Sequence, residues 1–242
     1  MNATLLLAAD GPVIPTFQRG SDCVRNNGQF CWGWFADNFG HVFWPRMVEH
    51  VELTAIALGI GFVLAFAAAL LTYRLNWLET PFGLFAAFLY TIPSLALFQL
   101  LVPVTGLSRL TAEIGLVSYT LLILYRNTVI GLRGVPDDAR EAARAMGYTG
   151  RQVLWRVDLP LALPAIVAGI RIATVTTISL TTVAAFIGVG GLGQPIFNAI
   201  HDGFKTQFIA AGALAVLLAL VADALLFGAQ RLLTPWTRIR RA

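Results

Sequence analysis

The feature that most constrains this chain is a series of apolar stretches, each close to the length needed to cross a lipid bilayer. The hydrocarbon core is about 30 Å thick and needs roughly 20 apolar residues in a helix. Five stretches approach this length, at about residues 51–73, 82–102, 114–130, 161–187 and 208–229. Hydrophobic residues make up 57% of the chain and charged residues only 12%, whereas soluble domains have about 45–50% and about 25%. The sequence predicts an all-α membrane protein with about five transmembrane helices.

The first 50 residues differ from the membrane domain that follows at residues 51–230. Residues 32–44 are aromatic but interrupted by polar side chains, so we expect an extracytoplasmic or interfacial segment lying at the lipid headgroups, where Trp is favoured. Cys23 and Cys31 lie in the same region, and neither has the His or Cys companions of a zinc site. These two cysteines predict either a short disulfide-closed loop or two free thiols.

The positive charges indicate how the chain runs through the membrane. Of the 17 Lys and Arg residues, eleven lie in one set of loops and adjoining span ends and five in the other, while Arg171 lies within a span. Loops rich in Lys and Arg stay in the cytoplasm. We therefore expect the N-terminus outside and the C-terminus inside. Residues 131–160 are then the longest cytoplasmic loop, and residues 231–242 form a basic cytoplasmic tail.

The loop at residues 131–160 has the pattern of two short amphipathic helices. Pro136 followed by two Asp residues is typical of a helix start, because acidic side chains favour the positive end of the helix dipole. Gly147 can end that helix. Pro160 and Pro164 are expected to break the segment before the fourth span. A structured, amphipathic loop on the cytoplasmic side indicates a docking surface for a partner.

The residues of this loop resemble a known motif. Glu141-Ala142-Ala143, three residues, Gly147, nine residues and Val157-Asp158-Leu159-Pro160 resemble the EAA loop of binding-protein-dependent ABC importer permeases of the cell inner membrane, with Val157 in place of Ile. The resemblance implies a type I ABC importer permease fold, whose EAA loop forms a coupling helix that docks on an ATP-binding subunit. It implies that Glu141 pairs with a basic group of the ATPase, that Ala142 and Ala143 pack closely in its cleft, and that Gly147 makes a turn. The other residues implied at this surface are Arg144, Leu159 and Pro160.

Segments outside the loop narrow the resemblance. Residues 91–96, 126–128 and 185–193 resemble permeases for compatible solutes, namely glycine betaine, carnitine and choline. The resemblance implies two ATP-binding subunits, a second permease chain that is identical or a sister, and a solute-binding protein. It implies no cofactor on this chain, with ATP and Mg held by the partner ATPase. Permeases for methionine and other amino acids share the EAA loop and the five-span plan, and they are the alternative.

Polar and helix-breaking residues within the spans mark candidate transport sites. Pro93 should kink the second span, and together with Ser94 it marks a candidate translocation pathway; a packed kink is the alternative. The fourth span carries several hydroxyl groups, among them those of Thr177 and Thr181. These two side chains either line a wet pathway or bond to neighbouring helices.

Two ionisable residues lie within spans, Arg171 in the fourth and Asp223 in the fifth. The two helices run in opposite directions, so both side chains fall in the cytoplasmic half or near the middle of the bilayer. Charged groups at that depth need a partner or water. We predict a structural ion pair between them, with separate snorkelling or contact with an aqueous cavity as the alternative.

The sequence carries no recognisable catalytic motif. It has no G-x-x-x-x-G-K-[ST] phosphate loop, so ATP hydrolysis would fall to another chain. The three His residues lack metal-ligand spacing, and we predict no metal site. The positive charges flank apolar runs, so membrane orientation explains them better than nucleic-acid binding does. The alternatives from other classes are an intramembrane enzyme and a membrane scaffold.

Overall fold

The computed structural model describes residues 21–236, and each regular element in that range is helical. Residues 1–20 of the expected N-terminal segment and residues 237–242 of the expected tail lie outside the described residues. In chain order the α-helices are α1 (Asp22–Arg25), α2 (Trp32–Asn38), α3 (Trp44–Arg74), α4 (Glu79–Thr91), α5 (Ser94–Thr105), α6 (Arg109–Arg133), α7 (Asp137–Ala145), α8 (Gly150–Val153), α9 (Leu159–Val183), α10 (Gly193–Asp202) and α11 (Lys205–Leu233). Shorter π- and 3₁₀-turns occupy Phe39–Phe43, Asn76–Leu78, Leu154–Asp158 and Ala184–Ile187.

Several of these helices are long and apolar enough to cross a membrane. By length and composition, four segments of the described chain qualify: Trp32–Arg74, Arg109–Arg133, Gly150–Ile187 and Lys205–Leu233. A fifth crossing is present if α4 and α5, which meet at a sharp bend, make one span together. Four of the five expected spans therefore lie within α3, α6, α9 with its 3₁₀-turn, and α11.

The aromatic segment at residues 32–44 belongs to the first of these helices. α2 continues through the π-turn Phe39–Phe43 into α3, so Trp32–Arg74 is a helical unit of 43 residues. At 1.5 Å per residue this unit is about 65 Å long, roughly twice the thickness of the hydrocarbon core. It therefore projects beyond the core. The expectation that residues 32–44 lie at the lipid headgroups stays a prediction, and the structure adds that these residues are helical and continuous with the first span.

The expected kink at Pro93 is a complete break of the helix. α4 ends at Thr91, α5 begins at Ser94, and the two helices are bent by 96° relative to each other. Ile92 adopts an extended conformation with φ −67° and ψ 127°, which the residue before a proline prefers over the helical one. The Tyr119 hydroxyl of α6 donates a hydrogen bond to the freed Ile92 carbonyl. The second predicted span therefore consists of two half-helices that α6 helps to hold.

The core of the bundle lies where α3, α6 and α9 pack side by side. Small residues at these contacts let the backbones approach closely. A Cβ on Gly61 of α3 would overlap the Thr120 hydroxyl of α6, and one on Gly131 of α6 would lie 2.9 Å from the Ala162 carbonyl oxygen of α9. By contrast, only 11% of the most apolar 18-residue stretch of α11 is buried. α11 therefore lies at the margin of the bundle.

The loop expected on the cytoplasmic side, residues 131–160, joins the fourth span without a break. α8, the π-turn Leu154–Asp158 and α9 are continuous, so the expectation that Pro160 and Pro164 would interrupt the chain is wrong. Pro160 lies in the first turn of α9, where proline is tolerated, and the preceding π-turn already departs from the usual i→i−4 pattern. Pro164 lies inside α9, and its carbonyl accepts a hydrogen bond from the Gln230 side chain of α11 at 3.2 Å.

The glycines at residues 188–193 turn the chain between α9 and α10. Gly191 has φ 48°, and a Cβ on it would lie 2.6 Å from the His50 Cβ. His50 is fully buried. Its Nδ1 accepts a hydrogen bond from the Leu192 N–H at 3.3 Å, which leaves Nε2 to donate to the Ile178 carbonyl at 3.0 Å. His50 thus joins α3, α9 and the turn, a role that no sequence motif indicated.

The contact between α3 and α6 can be tested with two glycine variants of the same helix. Gly61→Ala should lower the stability of the protein, because the added methyl group overlaps Thr120 and overpacking of this kind costs about 1–3 kcal/mol. Gly59→Ala is the matched control, since no atom lies within 4 Å of its added Cβ. The measurement is the unfolding midpoint of each purified variant in detergent. Equal midpoints for the two variants would contradict the close approach.

Candidate coupling surface and sites within the membrane domain

α7 has clearly defined ends. Pro136 precedes the helix, and two aspartates occupy its first turn beside the unpaired N–H groups. At the other end Gly147 has φ 86°, and the Tyr148 N–H donates to the Ala143 carbonyl at 3.1 Å. This Schellman-type ending favours glycine. The predicted helix start and the predicted turn at Gly147 are both found in the structure.

The faces of α7 divide the residues of the EAA-like motif. Glu141, Ala142 and Arg144 are exposed, and Met146, just beyond the helix, is 69% exposed. Ala143 is only 1% exposed, so it packs within its own chain and is not available to a partner's cleft. The free surface of α7 therefore combines a carboxylate, a guanidinium and a small apolar area.

Leu159 and Pro160, at the end of the motif, are half-buried. Leu159 packs against the buried cluster Leu132, Leu154, Ala162 and Ile166. In this chain the end of the motif therefore anchors the loop to α6 and α9, and it contributes less to the free surface than Glu141 and Ala142 do.

A buried ion pair holds α7 against the membrane helices. The Arg140 Nε donates to Asp158 Oδ1 at 2.9 Å, and the Asp158 side chain is only 3% exposed. The same guanidinium donates to the Leu132 carbonyl at 2.7 Å and to Asp137 Oδ1 at 2.8 Å. The Tyr73 hydroxyl donates to Asp158 Oδ2 at 2.9 Å. Burial lowers the pKa of Arg140, but its hydrogen bonds to Asp158 and Asp137 outweigh that effect and raise the pKa above its usual value.

Sequence reasoning missed this network. Arg140 directly precedes the motif and Asp158 occupies a position that the motif leaves unspecified, so neither residue stood out. The pairing arises because the loop folds back on itself over 18 residues. The spacing of the two residues alone does not show that fold.

Arg171 and Asp223 form an ion pair between α9 and α11. The Arg171 Nε and Nη2 donate to the two carboxylate oxygens of Asp223, both at 2.8 Å. Nη1 donates to Gln230 Oε1 at 3.2 Å, and the guanidinium carbon lies 4.8 Å from the centre of the Phe227 ring. The paired side chains are 24% and 37% exposed. Because charged groups within a span avoid hydrocarbon, the groove around them needs protein or water.

Thr177 and Thr181 lie inside the helix bundle. They are 1% and 0% exposed, and their hydroxyls donate to the carbonyls one turn earlier in α9, Ala173 at 2.7 Å and Thr177 at 2.8 Å. The Thr181 hydroxyl also lies 3.4 Å from that of Thr54 in α3. Their burial disfavours a role in a pathway, but only the contact of Thr181 with Thr54 joins two helices, whereas Thr177 bonds within α9. Ser179 is an exposed hydroxyl residue of α9.

The other pathway candidates lie at the break between α4 and α5. Pro93 is exposed and Ser94 is half-buried. Interrupted backbone at membrane depth is tolerated where it is covered by protein or lines a water-filled cavity. The assignment of these two residues to a pathway stays a prediction.

Cys23 and Cys31 are joined in a disulfide, so the alternative of two free thiols is not found. The loop that they close docks on the junction of α10 and α11. The Asn27 side chain donates to the Gly203 carbonyl at 2.7 Å and accepts from the Lys205 N–H at 3.1 Å. Asn27 thereby satisfies a free N–H at the start of α11.

Several apolar spans, a broken helix and a structured loop that presents an exposed helix together characterise a multi-spanning transport permease. The family model described as the binding-protein-dependent transport system inner membrane component matches residues 57–239. The chain belongs to this family. The match includes α7 and the whole EAA-like motif.

Sequence identity to individual permeases supports this assignment. The chain is 40% identical over 205 residues to the osmoprotectant import permease protein OsmW of Salmonella typhimurium, covering 82% of this chain and 94% of the relative. It is 34% identical to the glycine betaine/carnitine/choline transport system permease protein OpuCB of Bacillus subtilis, covering 77% and 86%. A solved structure of the inward-facing MetNI methionine ABC transporter matches with a TM-score of 0.73 at 23% identity, covering 80% of this chain and 96% of the solved one. At that identity the likeness concerns the fold alone.

The ion pair between α9 and α11 can be tested by exchanging its charges. Arg171→Asp and Asp223→Arg should each reduce the amount of folded protein, because each places two like charges together within the spans. The double variant restores opposite charges and should recover a larger yield of monodisperse protein in detergent than either single variant. No recovery in the double variant would mean that the pair does not fix these helices.

Proposed function

We propose that this chain is the permease subunit of an ATP-binding-cassette importer that moves a compatible solute inward by alternating access. The observation that carries the proposal is α7. It carries the Glu-Ala-Ala of the EAA-like motif. Its exposed face includes Glu141, Ala142 and Arg144, and a buried ion pair holds it against the spans. Such a surface fits a partner that drives the membrane helices from outside the bilayer. ATP and Mg then belong to a separate ATPase, and this chain has no catalytic role.

The proposed substrate is glycine betaine, carnitine or choline. Relatives at 34% and 40% identity are named for these compounds or for osmoprotectants and are covered over 86% and 94% of their lengths. A methionine or other amino-acid permease is the second candidate, supported by a shared fold at 23% identity. The difference in identity favours the compatible solutes.

The proposed complex contains two ATP-binding subunits, a second permease chain and a solute-binding protein. Polar groups exposed on the spans support the second permease. Ser179 is exposed on α9, and the Arg171–Asp223 pair is partly exposed between α9 and α11. Groups of this kind face other protein or a water-filled path more readily than lipid.

In the proposed orientation the chain lies in the cell inner membrane, with α7 on the cytoplasmic side. The excess of positive charge in loops on the α7 side, eleven against five, supports it. The N-terminal segment then lies outside and the C-terminal tail inside. A solute-binding protein would approach the side of the disulfide-closed loop and of the glycine turn at residues 188–193.

Uptake of labelled solutes tests the proposed substrate. A strain lacking this gene, with or without a plasmid copy, is supplied with labelled glycine betaine, carnitine, choline or methionine at low and high osmolarity. We expect the plasmid to restore uptake of at least one of the three compatible solutes and to leave methionine uptake unchanged. Restoration of methionine uptake alone would favour the second candidate.

Two substitutions on α7 test its role in coupling. Glu141→Lys reverses the exposed charge, and Gly147→Ala strains the turn, because φ 86° is unfavourable for a residue with a Cβ. Each variant should lower solute uptake by about tenfold, since loss of a charged contact or of a special backbone position costs on the order of 1–2 kcal/mol. The measurement is uptake into vesicles together with retention of the ATPase during purification.

Gly150→Ala is the matched control, because Gly150 lies in the first turn of α8 and no atom lies within 4 Å of its added Cβ. It should retain uptake. A Met146→Cys variant should react with an impermeant thiol reagent in inside-out vesicles and not in right-side-out ones. Normal uptake in both test variants would count against docking through α7, and the opposite labelling pattern would reverse the proposed orientation.

A further inference from the structure

We propose that Arg140, Asp158 and Tyr73 form a positioning clamp that makes α7 move as one body with three membrane helices. The inference rests on the proposed docking of α7 on an ATPase. It adds residues to which the EAA-like motif gives no role, since Arg140 precedes the motif, Asp158 occupies an unspecified position in it and Tyr73 belongs to α3.

The clamp joins the ends of three helices through the Arg140–Asp158 pair. Tyr73 lies in the last turn of α3, Leu132 lies in the last turn of α6, and Asp158 immediately precedes α9. Arg140 contacts Asp158 and the Leu132 carbonyl directly, and Asp158 contacts Tyr73. A displacement of α7 therefore acts on α3, α6 and α9 at the same time.

Apart from the clamp, α7 itself makes few buried contacts. Its covalent connections are the short segments 134–136 and 146–149, and the second contains Gly147, whose surroundings are open. Of the residues within α7 only Ala143 is buried, and its methyl group supplies a small apolar contact. Glu141 and its exposed neighbours face away from the chain. The Arg140 hydrogen bonds are thus the main directional contacts between α7 and the spans.

The chemistry of the network suits the transmission of force. Asp158 is 2% exposed, so its carboxylate is shielded from water and its hydrogen bonds are strong and costly to break. The planar guanidinium donates in several fixed directions, which a lysine cannot reproduce. A buried ion pair adds little stability over apolar packing. What this pair supplies is a defined position of α7 relative to the spans.

The clamp predicts a loss of coupling with the complex still assembled. The chain is purified with its ATPase, reconstituted in proteoliposomes with the solute-binding protein, and assayed for uptake and for ATP hydrolysis. Arg140→Gln should lower the solute taken up per ATP by about fivefold and Tyr73→Phe by about twofold, within the range by which coupling residues act. Arg140→Lys should fall between Arg140→Gln and the unaltered protein. Arg74→Gln is the control, because Arg74 is exposed beside Tyr73 and takes no part in the hydrogen bonds of the clamp, and it should show no change.

A distance measurement separates positioning from general stability. Spin labels on Met146→Cys and Trp77→Cys, both exposed positions, report the separation of α7 from the end of the first span. In nanodiscs the distribution of label-to-label distances should be narrow in the otherwise unaltered chain and broader with Arg140→Gln.

An unchanged distance distribution, or unchanged uptake per ATP in assembled Tyr73→Phe and Arg140→Gln complexes, would overturn the clamp. If Arg140→Gln does not assemble, Tyr73→Phe decides. An unaltered chain that retains no ATPase would instead refute the proposed function.

Discussion

Close packing of α6 between α3 and α9 is the constraint on which the rest of this structure depends. Gly61 and Gly131 allow it, because a side chain at either position would meet a neighbouring helix. Once the three helices are fixed at this distance, their ends beside α7 are fixed as well. Asp158 and the Leu132 carbonyl then lie close enough to share Arg140, and Asp158 also accepts a hydrogen bond from Tyr73. The contacts that hold α7 thus follow from small residues deep in the bundle.

The sequence predicts those parts of the fold that depend on local pattern. Hydropathy locates α6, α9 and α11 because a span needs a long apolar run whatever its neighbours are. Pro136 and Gly147 mark the two ends of α7 because helix ends have local chemical requirements. The sequence also predicts the pairing of Arg171 with Asp223, with separate snorkelling or contact with an aqueous cavity as the alternative, because charged groups within spans need a partner or water.

Other features depend on what lies opposite a residue in space, and the sequence does not show that. Pro93 breaks a helix and Pro160 does not. α5 begins after Pro93 as a separate half-helix against α6, whereas Pro160 follows a π-turn that is continuous with α9. For Thr177 and Thr181 the sequence leaves open a wet pathway or bonds to neighbouring helices, and the structure buries both side chains in the bundle. Asn27 caps α11 from a position 178 residues away in the chain. No local pattern links such residues.

The polar groups that stay exposed on the spans also bear on the assembly. α11 buries only a small part of its most apolar stretch. It nevertheless shares with α9 an ion pair whose side chains are partly exposed on the surface of the chain. Isolated in lipid, this arrangement would expose two charges and the Ser179 hydroxyl to hydrocarbon, which is costly. A second permease chain or a water-filled path along α9 removes that cost. The same surface that makes one chain incomplete is therefore suited to form the membrane pathway of the proposed complex.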